Sequence, residues 1–353
     1  MKSQVYFISV EDLDDIEAIK TKFGRLLEES NILNVFEKDD TVAVKMHFGE
    51  EGNTGYVKPE YVRMVCDIIK SQQAKPILTD TNTLYKGGRT TTEDHVKLAH
   101  KHGFTEEIAG APIVIGEGSV DVKVESKFLK VAKIAPFFRT VDAIVGIAHF
   151  KGHLITGFGG ILKNIGMGCA SREGKLLQHS DLAPFVKIEK CSACGACIEA
   201  CPVDAISMKN EAAFVNKHKC IGCASCIAAC PESAIDLDWE SGAPIIQERM
   251  VDHARAVLTE KEKKMVFINF AIKITKECDC IAKDDPRICP DVGILASKDS
   301  VAIDKAALDV IIKTCGKDIF QEVHPKRDGL KQLFYASRMG LGTIEYELIN
   351  LSY

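Results

Sequence analysis

Eight of the fourteen cysteines in this 353-residue chain fall in two copies of one pattern, Cys191-x2-Cys194-x2-Cys197-x3-Cys201-Pro202 and Cys220-x2-Cys223-x2-Cys226-x3-Cys230-Pro231. A cubane iron–sulfur cluster needs four thiolates, and this spacing lets one tight loop supply three while the other copy lends the fourth. Every cysteine recurs at an offset of 29, as do the prolines and the Ala205-Ile206 and Ala234-Ile235 pairs, which marks a duplicated unit. Ligand crossing assigns Cys191, Cys194, Cys197 and Cys230 to one [4Fe–4S] cluster and Cys220, Cys223, Cys226 and Cys201 to the other. Zinc is the alternative, but zinc knuckles pair C-x2-C units across a longer gap. Disulfides would close strained, redundant loops, and nothing marks the chain as secreted.

Composition narrows the class further. With 46% hydrophobic and 27% charged residues, there is enough apolar material for one large core plus a satellite unit. A net charge of −5 argues against a nucleic-acid partner, which calls for a basic face. The N-terminal segment MKSQVYFISVEDLDD lacks the long apolar stretch of a signal peptide, and no run approaches the roughly eighteen apolar residues of a membrane span. The expectation is a soluble, cytoplasmic protein with no membrane partner, in a compartment that keeps its thiolates reduced.

On both sides of the cysteines, β-rich runs alternate with helical patterns. VYFISV, TVAVKMHF, KPILTD, APIVIG and DAIVGIAHF read as strands in the first 150 residues, with helices at 11–30, 59–70 and 92–103. Beyond the cysteines come a helix at 244–262, the strands MVFINFAIKI and VGILAS, and a helix at 300–314 capped by Asp299 or Ser300. This alternation predicts a largely parallel α/β sheet covered by helices. The cysteine segment, 186–238, then reads as an insertion into one domain built from 1–185 and 239–353, since lengthening a surface loop costs little entropy.

Open α/β sheets bind ligands beyond the carboxyl ends of their strands, and the residues at those ends are polar here. His47 ends the first such strand, Asp80 the second, and His149 another, followed by Lys151 and His153. These five are the candidate catalytic group, with Arg89 and Lys151 placed to neutralise a small anionic substrate. The alternative for each is a local hydrogen bond to its own loop. GFGGILKNIGMG at 157–168 matches neither a dinucleotide nor a P-loop pattern, so close backbone packing competes with anion binding there. Cys278, Cys280 and Cys289, with Cys169 from another loop, form a candidate third metal centre for zinc or iron–sulfur. Cys66 and Cys315 read as small buried hydrophobes, and His95, His100 and His102 as a solvated helix face.

TVAVKMHFGEEGNTGYVKPEYV, KPILTDTNTLYKGGRTTTEDHVKLAHKHGF, HFKGHLITGFGGILKNIGMGCASREGK and CDCIAKDDPRICPDVGILASKDSVAIDKA together resemble the DUF362 family, in the form that carries an inserted bacterial-type ferredoxin module. The resemblance spans nearly the whole chain. It implies a mostly parallel, Rossmann-like α/β sheet with an inserted small α+β ferredoxin-type domain, two [4Fe–4S] clusters and redox work in an anaerobic cytoplasm. The functional expectation is electron transfer or oxidoreduction, with a redox partner protein as donor or acceptor and the clusters feeding a site on the α/β domain. The alternative is a non-catalytic protein that binds a metal or an anionic metabolite, with structural clusters. A hydrolase using the rim histidines would leave the clusters unexplained.

Overall fold

Short runs rich in Val, Ile and Phe, too apolar to lie on a surface, assemble into one eight-stranded sheet buried on both faces. In the computed structural model, which describes residues 2–12, 14–179, 183–237 and 245–352, the strands are β1 (Ser3–Ser9), β2 (Thr41–Lys45), β3 (Lys75–Thr81), β4 (Ile113–Gly116), β5 (Ala143–His149), β6 (Met265–Ala271), β7 (Gly293–Ser297) and β8 (Tyr346–Asn350). Their order is β8-β1-β7-β6-β5-β2-β3-β4. Neighbours are parallel throughout except at β7, which runs against both β6 and β1. The sheet is thus mostly parallel, as its sequence pattern predicts. β8 was not among the expected strands; it adds to the edge beside β1.

Helices cover both faces. α1 (Ile16–Ser30) and α2 (Pro59–Ser71) pack Phe23, Leu26, Tyr61 and Val65 against Val44, Ile268 and Phe270 on one side. α1 starts later than its pattern implies because Asp15 caps it, accepting from Ala18 N–H. α3 (Thr92–Lys101) lies on the same side through Ala99. On the other side lie the six-residue α4 (Ile161–Gly166), α6 (Ile246–Leu258) and α7 (Ser300–Cys315), with Ile165, Met250 and Ala302 against Ile144 and Phe267; α5 (Arg172–His179) adjoins them. Asp299 caps α7, accepting from the N–H groups of Val301 and Ala302. Among the described residues no helix is long and apolar enough to cross a membrane.

Residues 185–237 build a small unit of their own. Phe185–Val186 pairs antiparallel with Ile235–Asp236, and Ile206–Lys209 with Ala212–Val215, around single helical turns at Ala196–Glu199 and Ser225–Ala229. The duplication extends to the backbone: Ala193 and Gly222, Gly195 and Ala224, and Asp204 and Ser233 are three pairs 29 residues apart, all with positive φ. The unit has its own buried cluster, including Cys197, Val215, Cys226, Ile227 and Ile235, which Leu84 and Leu176 of the main domain join. The expected boundary at 238/239 lies outside the described residues.

One buried carboxylate ties the sheet to the helical layer. Asp304 of α7 is fully buried; it accepts from Asn269 Nδ2 of β6 at 2.8 Å and from the Ile161 and Leu162 N–H groups that open α4, at 2.8 and 2.9 Å. Burial pushes its pKa up to about 6 despite these donors. A Cβ on Gly160 would fall 2.3 Å from Asp304 Oδ1, so glycine lets the chain approach the carboxylate. Asp304→Ala, which strands three donors, is expected to cost about 3 kcal/mol. Denaturant unfolding measures this; an unchanged midpoint would contradict the assignment.

Candidate functional site

Because β3, β2, β5 and β6 are adjacent and parallel, their carboxyl ends lie side by side, and the polar residues there converge on one cavity of about 1190 Å³, its mouth included. All five expected rim residues, His47, Asp80, His149, Lys151 and His153, line it. So do several that pattern reading passed over: Lys45, Lys175, His179 and Glu277.

Lys45 looks like one more alternating residue of a strand, yet it is 1% exposed. Its amine donates to Asn164 Oδ1 (2.8 Å) and Met46 O (2.9 Å) and sits 3.1 Å from Asp80 Oδ1. Burial opposes ionisation of Asp80, but the Lys45 amine, with Arg89, outweighs it and holds the carboxyl well below the usual carboxylate range. Asn164 spans the strand ends, its amide donating to Lys45 O and Ile147 O. Arg89 pairs with the buried Glu50 (Nε to Oε2, 3.1 Å) and donates to Tyr85 Oη, which donates onward to Cys280 O at 2.9 Å.

Asp279 organises the opposite wall. It lies 2.9 Å from His149 Nδ1 and 2.8 Å from Lys151 Nζ, and these two cations hold it well below the usual range against the pull of burial. His149 Nε2 is 2.9 Å from Ile272 O. Both of its partners are acceptors, so both ring nitrogens donate. The ring also borders a second cavity, lined by Tyr56, Lys58, Tyr61 and Lys273.

His47 Nδ1 accepts from Gly49 N–H at 3.0 Å, which leaves its proton on Nε2. Among the described residues neither that nitrogen nor Asp80 Oδ2 has a hydrogen-bond partner. Burial, then Arg89, lowers the His47 pKa well below the histidine range. His153 Nδ1 is engaged by Thr156 at 2.9 Å, so Nε2 is its available nitrogen.

The glycine-rich stretch seats amines. Lys163 crosses Gly159, where a Cβ would come 2.7 Å from its Cδ, and a Cβ on Gly168 would come 2.4 Å from Lys45 Nζ. Lys163 is half-buried, and burial followed by Lys151 lowers its amine to about 7. Lys175 donates to Asn82 O (2.9 Å), Ala170 O (3.1 Å) and Thr81 Oγ1; burial, with Lys45 and Arg89, also brings it to about 7.

The expected third cysteine group does not assemble. Cys278 and Cys280 are joined to each other beside the cavity, whereas Cys289 is joined to Cys315 at the end of α7. Both Cys289 and Cys169 belong to the apolar core behind the sheet, and burial pushes the Cys169 thiol up to about 12. Cys315 is therefore a bonded cysteine, not a lone buried thiol. His153 replaces the missing pair: ligand atoms of His153, Cys278 and Cys280 lie within 4.8 Å of one another, a grouping suited to a metal ion once the two sulfurs are reduced.

In the 185–237 unit, Cys191, Cys194, Cys197 and Cys230 line one small cavity of about 310 Å³, and Cys201, Cys220, Cys223 and Cys226 line another of about 330 Å³. None of the eight is in a disulfide. Ala205 N–H donates to Cys201 Sγ and Ala234 N–H to Cys230 Sγ, each at 3.2 Å, and Ala213 N–H to Cys191 Sγ at 3.5 Å. Such donors favour thiolate, while burial and the neighbouring thiols push Cys226 up to about 12. A bound cation resolves that conflict, so the donor set fits a metal-containing group.

Of the three histidines read as a solvated face, His100 is exposed, whereas His95 and His102 depart from expectation. His95 is fully buried, 3.8 Å from Asp80 Oδ2 and 3.2 Å from Asn82 Oδ1, and His102 stacks on Tyr56. Burial, together with Arg89, Lys175 and Lys45, holds the His95 pKa to about 3, against about 6.5 in the unfolded chain. The unfolded state therefore binds the extra proton first, and stability falls as pH drops from about 6.5 toward 3, by about 1.4 kcal/mol per pH unit for this group. His95→Gln is expected to flatten the acid limb of a stability–pH curve by about one proton; an unchanged slope would refute the buried neutral ring.

The family model for a domain of unknown function, DUF362, matches residues 42–309. No curated protein matches the chain. Among solved structures, a Thermotoga maritima protein from the Northeast Structural Genomics Consortium is 15% identical with a TM-score of 0.38, over 90% of this chain and 61% of that one. The lactate racemase apoprotein of Thermoanaerobacterium thermosaccharolyticum is 12% identical with a TM-score of 0.37, over 77% and 51%. The chain thus spans less than two thirds of either structure. By the extent of the matched region and the strands and rim it contains, the chain belongs to the DUF362 family.

Proposed function

We propose that this protein is an iron–sulfur oxidoreductase or electron carrier. In this reading residues 186–238 are an inserted dicluster ferredoxin domain holding two [4Fe–4S] clusters, and the polar cavity, with His153, Cys278 and Cys280 as a further metal site, is where a substrate is reduced or oxidised. The observation that carries the reading is the seat of the cysteine unit. Leu84 belongs to the same buried cluster as Cys197 and Cys226 and also lines the cavity, so the apolar packing of the cysteine unit reaches the cavity wall. Leu176 packs against the same unit, 3.3 Å from where a Gly222 Cβ would stand, and Lys86 donates to Pro231 O at 2.5 Å. A bridge of packed side chains between cysteines and cavity suits electron passage; a purely structural unit has no need to sit there.

Each cluster, when bound, supplies a one-electron carrier whose potential depends on burial and on hydrogen bonds to sulfur. The chain's own residues supply the rest. Asp279 fixes His149 and Lys151, Tyr85 ties the Arg89 loop to the Cys280 carbonyl, and His47 presents an N–H to the cavity. The Lys163 ammonium is the proton donor for a substrate that gains electrons, and His47 Nε2–H is a hydrogen-bond donor that orients it.

Protein purified without oxygen should contain about eight iron per chain and lose visible absorption on reduction. Cys230→Ser should remove about half the iron, emptying the set that includes Cys191 and leaving the Cys220 set intact in electron paramagnetic resonance spectra. Zinc in place of iron, or iron that never changes oxidation state, would end the redox reading.

A further inference from the structure

Five basic residues, Lys45, Arg89, Lys151, Lys163 and Lys175, line the cavity. Three have carboxylate partners: Asp80 for Lys45, Glu50 for Arg89 and Asp279 for Lys151. The other two have none. Lys175 reaches only backbone carbonyls and Thr81, and Lys163 has no hydrogen-bond or ion-pair partner among the described residues. His179 lies in the field of both amines. His47 Nε2–H, buried and without an acceptor, also lines the cavity. One unmatched amine, Lys163, and an idle N–H, His47 Nε2–H, thus line the cavity, Lys175 adds positive charge with its own N–H groups already engaged, and the idle oxygens there are those of Asp80 and Glu277.

We propose that the cavity binds its ligand through an oxyanion, a carboxylate or phosphate group, held by the Lys163 amine with His47 Nε2–H as a second donor and the Lys175 charge beside them. This rests on the reading of the cavity as a substrate site and adds the substrate class: a small molecule carrying at least one oxyanion, its remainder directed toward Cys278, Cys280 and His153. The glycine stretch then has a function in anion binding unlike a phosphate loop. Gly159 makes room for the lysine stem, and the amine, not the peptide N–H groups, meets the anion.

The test is calorimetric titration of the cluster-loaded protein with inorganic phosphate and, separately, with succinate. At least one should bind at one per chain, and which one identifies the oxyanion. Lys163→Met should weaken that binding about ten- to hundredfold, while Lys163→Arg stays close to wild type. Lys163 has no partner to lose, so the methionine variant should melt no lower than wild type; Lys163→Gln serves if it does. Failure of both anions to bind, or equal binding by wild type and the neutral variants, would overturn the proposal. Iron content and reducibility are read on the same samples. Anion binding without iron leaves this site standing and ends the redox reading, whereas reducible iron without anion binding does the reverse.

Discussion

Three buried carboxylates make the rim possible. Parallel strands deliver their carboxyl ends to one edge, and here those ends and the loops beyond them bring lysine, arginine and histidine side chains together around one cavity. Like charges cannot be packed so closely without counter-charge. Glu50, Asp80 and Asp279 supply it, each nearly fully buried and each beside a lysine or arginine. They come from different elements, so the arrangement depends on the whole sheet being in register.

The strands of the central sheet from 41 to 149 and from 265 to 297 were legible in the sequence because continuous apolar runs of that length leave little choice of conformation; the hairpin of Val120–Lys123 and Val131–Ile134 was not. The tail was not. Tyr346–Asn350 has an intermediate and exposed face, and its role as an edge strand depends on β1, more than three hundred residues away. Direction was equally hidden: nothing local in Gly293–Ser297 tells that it runs against its neighbours.

The site was readable to the extent that polar residues terminate strands. His47, Asp80, His149, Lys151 and His153 stood out for that reason. Lys45 did not, since a buried lysine within a strand can be recognised only from the carboxylate that another strand brings to it. His95 was misplaced on the solvent side because α3 is rich in charge; its spacing with Leu98 and Ala99, which share the buried face, was the available signal. The irregular cysteines divided between the rim of the sheet and the core behind it, and sequence spacing carries no such information.

The electrostatics of this rim are written partly in residues that carry no charge. Lys163 and Lys45 lie where they do because Gly159 and Gly168 offer bare Cα atoms beneath them. A single methyl group added at Gly159 would push the Lys163 stem aside while leaving every ionisable residue intact. Neutral, featureless positions can therefore retune affinity and selectivity as effectively as any exchange of acid for base.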